Sequence, residues 1–398
     1  EEIRFLLEEG QPLAAAVFPT VERHIDFLRS LLLAAGGELS EVPPVPEGHD
    51  YIVCLTHDVD FYSLRKAFPS KTLAGFLYRA TVGTALELFA GKCGVNKAVR
   101  NFMAAVSTPL ALNGLSRDPW RLIRRYGELE KGHPSTFFFI PFRGREGGRK
   151  IGDSTVRRSC SYDIGDVEKS DLEHLRSTGC EVGLHGIDAW HDSGSAREEK
   201  EKISDATTSE CAGVRMHWLY YDRGTFGILE DAGFSYDSTV GYNEAVGFRA
   251  GTAQVYRPPG AARLYELPLH LMDTALLYSR RMGLDEGEAR KKIDDVFDTV
   301  RSCGGVLTVN WHHRSVGPER CWDDAYRYVI ARAEADNAWI TTAANTVAWF
   351  DKRRKAAFRV SGSSAGTREV QVSHAPVDGL PGIRLVRRRG GGDVRKAS

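Results

Sequence analysis

From residue 51 onward the chain alternates short apolar runs with stretches of helical spacing. The apolar runs cover 51–56, 135–141, 181–185, 213–216, 264–271, 305–311 and 338–342. Each has the length of a strand and is mostly apolar on both faces, as strands of a buried parallel sheet are. Between them, helical spacing covers 119–131, 169–177, 196–208, 225–232, 285–301 and 322–335. Pro119 behind Asp118 reads as a first-turn proline following an N-cap. About seven such units predict an α/β fold, a βα barrel or a doubly wound sheet. In a barrel the chemistry sits at the C-terminal ends of the strands.

Three segments stand outside that alternation. Residues 1–40 read as helical, with Ala14, Val17, Phe18, Val21, His24, Ile25, Leu28 and Leu31 forming a one-sided apolar stripe. Pro43, Pro44 and Pro46 follow as a linker. Residues 61–116 separate the first strand from the second. Within them, 72–91 carries only Arg79 and Glu87 as charges and is flanked by Arg65, Lys66, Lys71, Lys92, Lys97 and Arg100. That pattern fits a helical cap packed on the domain, or an interfacial helix in peripheral contact with a membrane. Residues 352–398 form a basic tail of net charge +9, against −9 for residues 1–351. The tail holds two strand-like pieces, 358–360 and 369–372, and a terminus from Gly390 expected to be disordered. A basic tail can bind an anionic polymer or membrane, and can equally be a solvated terminus.

Composition narrows the class. The 398 residues are 42% hydrophobic and 27% charged, ordinary for a globular chain. Lys+Arg and Asp+Glu balance at 53 each, so no overall field draws the chain to nucleic acid. No run of 18 apolar residues occurs, and the opening Glu-Glu-Ile-Arg is not a signal peptide. Seven scattered cysteines without a CxxC pair argue against a thiolate zinc knuckle or a disulfide framework. A reduced, cytoplasmic protein is expected.

Four clusters of chemistry-bearing residues fall at the ends of the expected strands. Thr56-His57-Asp58-Val59-Asp60 puts two carboxylates where one can bind a metal and the other accept a proton. His185 and His191, with Asp188 and Asp192 nearby, can chelate one divalent ion and leave a position open for water. Arg215 can orient a carboxylate through its planar fork. His312 or His313 can act as a general acid.

In this order the residues resemble the polysaccharide deacetylase family, also called the NodB-homology or family-four carbohydrate esterases. The likeness spans 51–313. It includes Ser135-Thr136-Phe137-Phe138-Phe139 and Phe234-Ser235-Tyr236-Asp237-Ser238. Thr56 to Asp60 resembles the family's first motif in its DxD form. The resemblance implies a deformed (β/α)7-type barrel over 49–351, with an N-terminal helical segment over 1–48, a helical insertion over 61–116 and the tail. It implies a divalent metal, zinc foremost, on Asp60, His185 and His191. Asp58 becomes the catalytic base, Arg215 the arginine that positions it and His312 the late histidine. The chain departs from the family in two places. Five residues separate His185 from His191 where three are usual, so Asp188 is a competing ligand. His217-Trp218 stands where the family has a proline and an aromatic. The implied reaction is hydrolysis of an N-acyl group, N-acetyl above all, from a sugar or glycan. Trp190, Trp218, Tyr242 and Trp311 are candidates to stack on sugar rings, or to be core. A non-sugar C–N hydrolase of the allantoinase-like branch and an inactive glycan-binding relative are the competing functions.

Overall fold

The computed structural model describes residues 10–68, 70–91, 93–151, 154–156, 160–362, 368–373, 377–389 and 394–396. Within them nine parallel strands build one curled sheet. They are β1 (Ile52–Val59), β2 (Thr136–Phe139), β3 (Glu181–Gly186), β4 (Gly213–Met216), β5 (Tyr236–Asp237), β6 (Tyr265–Glu266), β7 (Leu271–Met272), β8 (Val306–Asn310) and β9 (Trp339–Thr341). Their order is β7-β8-β1-β2-β3-β4-β5-β6. β9 wedges against the first half of β1 and β2 against its second half, while β8 takes the other edge. β6 and β7 form no ladder with each other, so the sheet is a deformed (β/α) barrel left open at that seam.

Burial explains why these runs are strands. All eight residues of β1 are buried, and Val53, Leu55, Phe137, Leu184, Val214, Leu307 and Val309 join one core cluster. Each such side chain contributes about 1.5–3 kcal/mol relative to exposure. Two differences from the expected strands have physical causes. The run 264–271 splits into β6 and β7 because Pro268 between them has no N–H for a ladder. Tyr236–Asp237 adds a two-residue strand too short to show a period.

Helices cover the outside: α1 (Thr20–Ala34), α2 (Lys71–Tyr78), α3 (Thr84–Phe89), α4 (Val95–Leu112), α5 (Ile123–Leu129), α6 (Lys169–Ser177) and α7 (Ser193–Thr207). They continue with α8 (Thr225–Asp231), α9 (Asp273–Leu277), α10 (Glu286–Cys303), α11 (Asp323–Ala335) and α12 (Ala343–Arg354). α10 starts with a reciprocal cap, the Asp285 carboxylate accepting the Glu288 N–H while Glu288 accepts that of Asp285. α5 begins at Ile123 rather than 119. The Asp118 carboxylate is spent on the N–H groups of Leu64, Arg65 and Trp120 and on the Ser63 hydroxyl, so it ties down a loop instead of capping a helix.

The three outlying segments differ from their sequence patterns. α1 docks through buried Glu22, whose Oε1 accepts from the Thr252 hydroxyl and the Ala253 N–H, while Ile25, Leu28 and Leu31 of its apolar stripe face solvent. Residues 1–9 lie outside the described set. The insertion is α2, a π-helical turn at Arg79–Gly83, α3 and α4. It packs on the loop after β8: Arg79 bonds Glu319 at 2.9 Å, Arg100 bonds Asp323 at 2.9 Å, and Asn101 accepts the Glu319 N–H at 2.7 Å. In the tail, Val386–Arg389 pairs antiparallel with Glu38–Glu41 and with Val394–Lys396. Arg388 and Arg389 spend their charges on Glu41 and Glu38. There the basic tail is fastened to the strand Glu38–Glu41 instead of standing off as a free terminus. Residues 390–393 and 397–398 lie outside the described set. Among the described residues no helix is long and apolar enough to cross a membrane, and all seven cysteines are free thiols.

Candidate active site

A cavity of about 590 Å³ opens at the C-terminal ends of the strands, lined by Asp58, Asp60, His185, His217, Trp218 and His312 among others. The strand ends bring them together. Asp58 is the second-last residue of β1 and Asp60 lies just past it; His185 is the second-last residue of β3, His217 follows β4 and His312 follows β8.

Asp60, His185 and His217 each offer one ligand atom, all within 4.8 Å of one another. His185 Nδ1 donates to the Arg215 carbonyl at 3.0 Å, which leaves Nε2 as a bare lone pair in the neutral ring. That Nε2 faces Asp60 Oδ1 at 3.2 Å, and His217 Nε2 faces the same oxygen at 3.5 Å. Acceptors aimed at one another at such range need a cation between them, a proton or a metal. Ligand bonds of about 2.0–2.1 Å in a tetrahedral site put neighbouring donor atoms about 3.3 Å apart. The two distances to Asp60 fit that edge, and two imidazoles with one carboxylate form a donor set suited to zinc. With a proton on His185 Nε2 as that cation, burial still pushes the Asp60 carboxyl up, but the His185 hydrogen bond and the charges of His217 and His312 overcome it and hold the group well below the usual carboxylate range.

His217 reaches the site through a tight turn. Trp218 (φ 66°) and Leu219 (φ 55°) are both left-handed, a strain of order 1–3 kcal/mol for each non-glycine residue. The Asn243 amide holds the turn by donating to the Trp218 carbonyl at 3.1 Å.

Asp58 is gripped on both oxygens. Arg215 Nη1 donates to Oδ1 at 3.0 Å and Asn310 Nδ2 to Oδ2 at 2.7 Å. Arg215 is itself fully buried and pinned by the Thr56 hydroxyl and by the carbonyl and hydroxyl of Ser238. Its guanidinium lies over the Phe138 ring, 4.6 Å from the centroid. Burial raises the Asp58 pKa, yet the Arg215 charge, then those of His185 and His312, bring it below the ordinary value. Asp58 is therefore an ionised carboxylate with its direction fixed.

The two adjacent histidines separate cleanly. His312 faces the cavity. Asp273 grips it twice, accepting the His312 N–H at 2.8 Å and the Nδ1 proton at 2.6 Å. Its Nε2 points towards Asp60, 3.9 Å from Oδ2. Burial would lower its pKa, but Asp273, then Asp60 and Asp58, raise it, so the imidazolium is favoured. His313 is fully buried with both nitrogens used: Nδ1 donates to the Phe61 carbonyl and Nε2 accepts from the Leu122 N–H. Burial drops its pKa to about 4.

One expected residue stands apart. His191 is not in the cluster: it sits on the surface, 39% exposed, with Nε2 3.3 Å from Asp188. Asp188 belongs to the same surface pair, and its N–H is taken by Glu199, so neither enters the group formed by Asp60 and His185. The reason is that β3 ends at Gly186 and the following turn carries 188–191 outward before α7 begins. Of the four candidate stacking aromatics, only Trp218 lines the cavity, 52% exposed. Trp311 and Tyr242 are core, and Trp190 packs against the core. Asn310 and Asp273 went unrecognised. Asn310 had a signal, since it closes the strand two residues before His312. Asp273 lies beyond the proline break that hid β7.

No protein-family model matches the chain, and no curated protein does. Solved structures do. A chain described as a polysaccharide deacetylase from Mycobacterium smegmatis is 17% identical, aligned over 79% of this chain and 96% of that one, with TM-score 0.47. Another, from Pseudomonas aeruginosa PAO1, is 15% identical over 78% and 95%, with TM-score 0.47. Puue allantoinase is 14% identical over 77% and 92%, with TM-score 0.46. Polysaccharide deacetylases recur among the structural neighbours.

Proposed function

We propose that the protein is a metal-dependent hydrolase that removes an N-acyl group, N-acetyl above all, from a carbohydrate or glycoconjugate. The observation that carries this reading is one cavity with an oriented carboxylate, Asp58, an oriented imidazolium, His312, and the Asp60–His185–His217 cluster between them. The third ligand in this reading is His217, in place of His191. A divalent cation, zinc by its donor set, would be held by those three residues and would supply Lewis acidity towards water and the acyl oxygen.

The chain's own residues supply the rest. Asp58 takes the proton from the attacking water, with Arg215 and Asn310 holding it in the ionised, acceptor form. His312 protonates the leaving amine from Nε2 while Asp273 keeps the Nδ1 proton in place. No side chain becomes acylated in this scheme, so the acyl group leaves as a carboxylate such as acetate. Trp218 offers a ring face at the cavity for a pyranose.

The test is release of acetate and free amine from N-acetylated oligosaccharides by zinc-loaded protein, run beside Asp58→Asn. Release by the wild type and a loss on the order of 10³-fold in the variant supports the reading. A protein that binds one zinc per chain and releases no acyl group from any N-acetylated sugar overturns it.

A further inference from the structure

The insertion carries an outer surface of the wrong polarity for a helix hairpin in water. On α4 the inward positions are small or polar: Ala98, Asn101, Ala104, Ala105, Thr108 and Ala111. The large apolar residues of that helix, Val95, Val99, Met103, Val106 and Leu110, are all at least half exposed. Their spacing of four, four, three and four draws one stripe down the helix. The preceding arm repeats the pattern. Tyr78, Val82, Leu86 and Phe89 recur every three or four residues through α2, the π-helical turn and α3, and Phe89 is 90% exposed. α3 and the π-helical turn pack against α4, so the two arms present exposed apolar surface on one hairpin. Soluble chains seldom leave apolar patches of this extent uncovered.

Charge selects the occupant. Residues 61–116 hold seven basic residues and one acid, Glu87, while residues 1–351 as a whole carry −9. Glu87 is paired with Lys97. Lys66, Arg79 and Arg100 pair with Asp166, Glu319 and Asp323 outside the insertion, so among its described residues Arg65 and Lys71 carry charge that no carboxylate answers. Apolar side chains bordered by that surplus fit an anionic lipid surface, with the rings and aliphatic groups in the acyl boundary and the cations at headgroup level. The hairpin is also tied to the active site. Arg79 and Asn101 hold Glu319, Arg100 holds Asp323, and Glu319 holds Arg314 in the loop that follows His312.

We infer that the α2–α4 hairpin docks on an anionic bilayer surface and sets the active site against an N-acyl sugar carried on a lipid. The substrate class rests on the proposed hydrolase function; the docking does not. The experiment is flotation of the full chain with phosphatidylcholine vesicles and with vesicles of about 30% phosphatidylglycerol. The comparison is with the double variant Phe89→Ser, Val106→Ser, whose sites are exposed and leave the cavity intact. Wild type is expected to float with the anionic vesicles, less so as salt rises. The variant is expected to partition about tenfold more weakly. Deacetylation of a soluble N-acetylated oligosaccharide should be equal in the two proteins, and that of an N-acetylated glycolipid in the vesicles should fall only in the variant. Equal flotation of both proteins, or none of the wild type, overturns the docking. So does a wild-type dimer that the variant turns into a monomer without vesicle binding, because the face is then covered by a second copy. Absence of all hydrolysis with normal flotation sinks the catalytic reading alone.

Discussion

Two layers of the barrel are equally rich in titratable groups and differ in what those groups have left to give. At the mouth, Asp58, Asp60, His185, His217 and His312 open on the cavity, and each is held by partners that leave one atom facing it. One layer deeper, His57 is closed between the Trp311 carbonyl and Glu130, which also accepts from Tyr326 and Ser135. His313 and His270 likewise use both ring nitrogens, and Asp237 and Glu266 share a register position across β5 and β6. Polarity is the same in both layers. Unspent hydrogen-bonding capacity facing a cavity separates chemistry from architecture.

The largest expected effect breaks the mouth. Asp58→Asn keeps the shape and the Arg215 contact but removes the proton acceptor, so kcat should fall on the order of 10³-fold. His312→Gln should cost on the order of 10²–10⁴-fold and flatten the alkaline limb of the pH–rate profile. A variant of either kind with near-normal kcat would place the acid–base chemistry elsewhere.

Arg215→Met probes the join between the layers. It strands the Asp58 carboxylate in a buried site whose remaining donor is Asn310. Loss of one partner of a buried ion pair costs about 3–5 kcal/mol. Chemical denaturation should register that loss as well as lost activity. A denaturation midpoint equal to that of the wild type would break the comparison between capacity and architecture at its centre.

The deeper layer should announce itself through pH. His270 and His313 are pushed down to about 4 by burial, from an ordinary 6.5. Both rings bind a proton less readily folded than unfolded. The stability they contribute is therefore full above pH 6.5 and is lost as pH falls towards 4, by roughly 1–3 kcal/mol for each ring. His270→Gln should flatten part of that acid slope in denaturation midpoints. An unchanged slope would mean the ring titrates normally.

A smaller effect of opposite sign is expected at the carboxyl pair. Burial raises Asp237 to about 6 and holds Glu266 well above its ordinary value, with the Asp237 charge beside it raising it further. Oδ2 of Asp237 and Oε2 of Glu266 have no other partner, so a single proton shared between them satisfies both. Glu266 binds its proton more tightly folded than unfolded. Its contribution is full below 4.5 and declines as pH climbs through the folded value. Glu266→Gln keeps the Val240 N–H bond and replaces the acidic proton by an amide, so it should melt higher than the wild type by about 2 °C above pH 8 and match it near pH 5.

The sequence was readable where a local pattern and the tertiary outcome coincide. β1, β3, β4 and β8 lie on mostly apolar runs with no proline break, and Asp58, His185, Arg215 and His312 sit in or just after them. What escaped depended on the third dimension. Asp273 is hidden because Pro268 breaks the run that would have marked β7. The choice between His312 and His313 is invisible in one dimension, since neighbouring residues point opposite ways only once a loop has a path. The stripe on α1 has a good helical period yet faces outward, because a single buried carboxylate, Glu22, fixes which face docks. Periodicity reports amphipathicity and is silent about which face is covered.

The third ligand is the sharpest instance. His191 has the order of the family's motifs on its side, though not their spacing, and stands on the surface; His217 replaces a residue of the family pattern and stands in the cluster. Substituting each by Ala separates motif order from geometry. His191→Ala removes a 39% exposed ring whose partner is a surface carboxylate, so zinc affinity and kcat should stay within about twofold of wild type. His217→Ala removes one of the two imidazoles that cluster with Asp60 and should weaken zinc binding at least about 100-fold, read by competition with a chromogenic chelator. The zinc titration needs no substrate, so it stands whatever the reaction proves to be. If His191→Ala lowers affinity as much as His217→Ala, the turn after β3 must swing inward when metal binds, and the cluster seen at the strand ends is then one state of two.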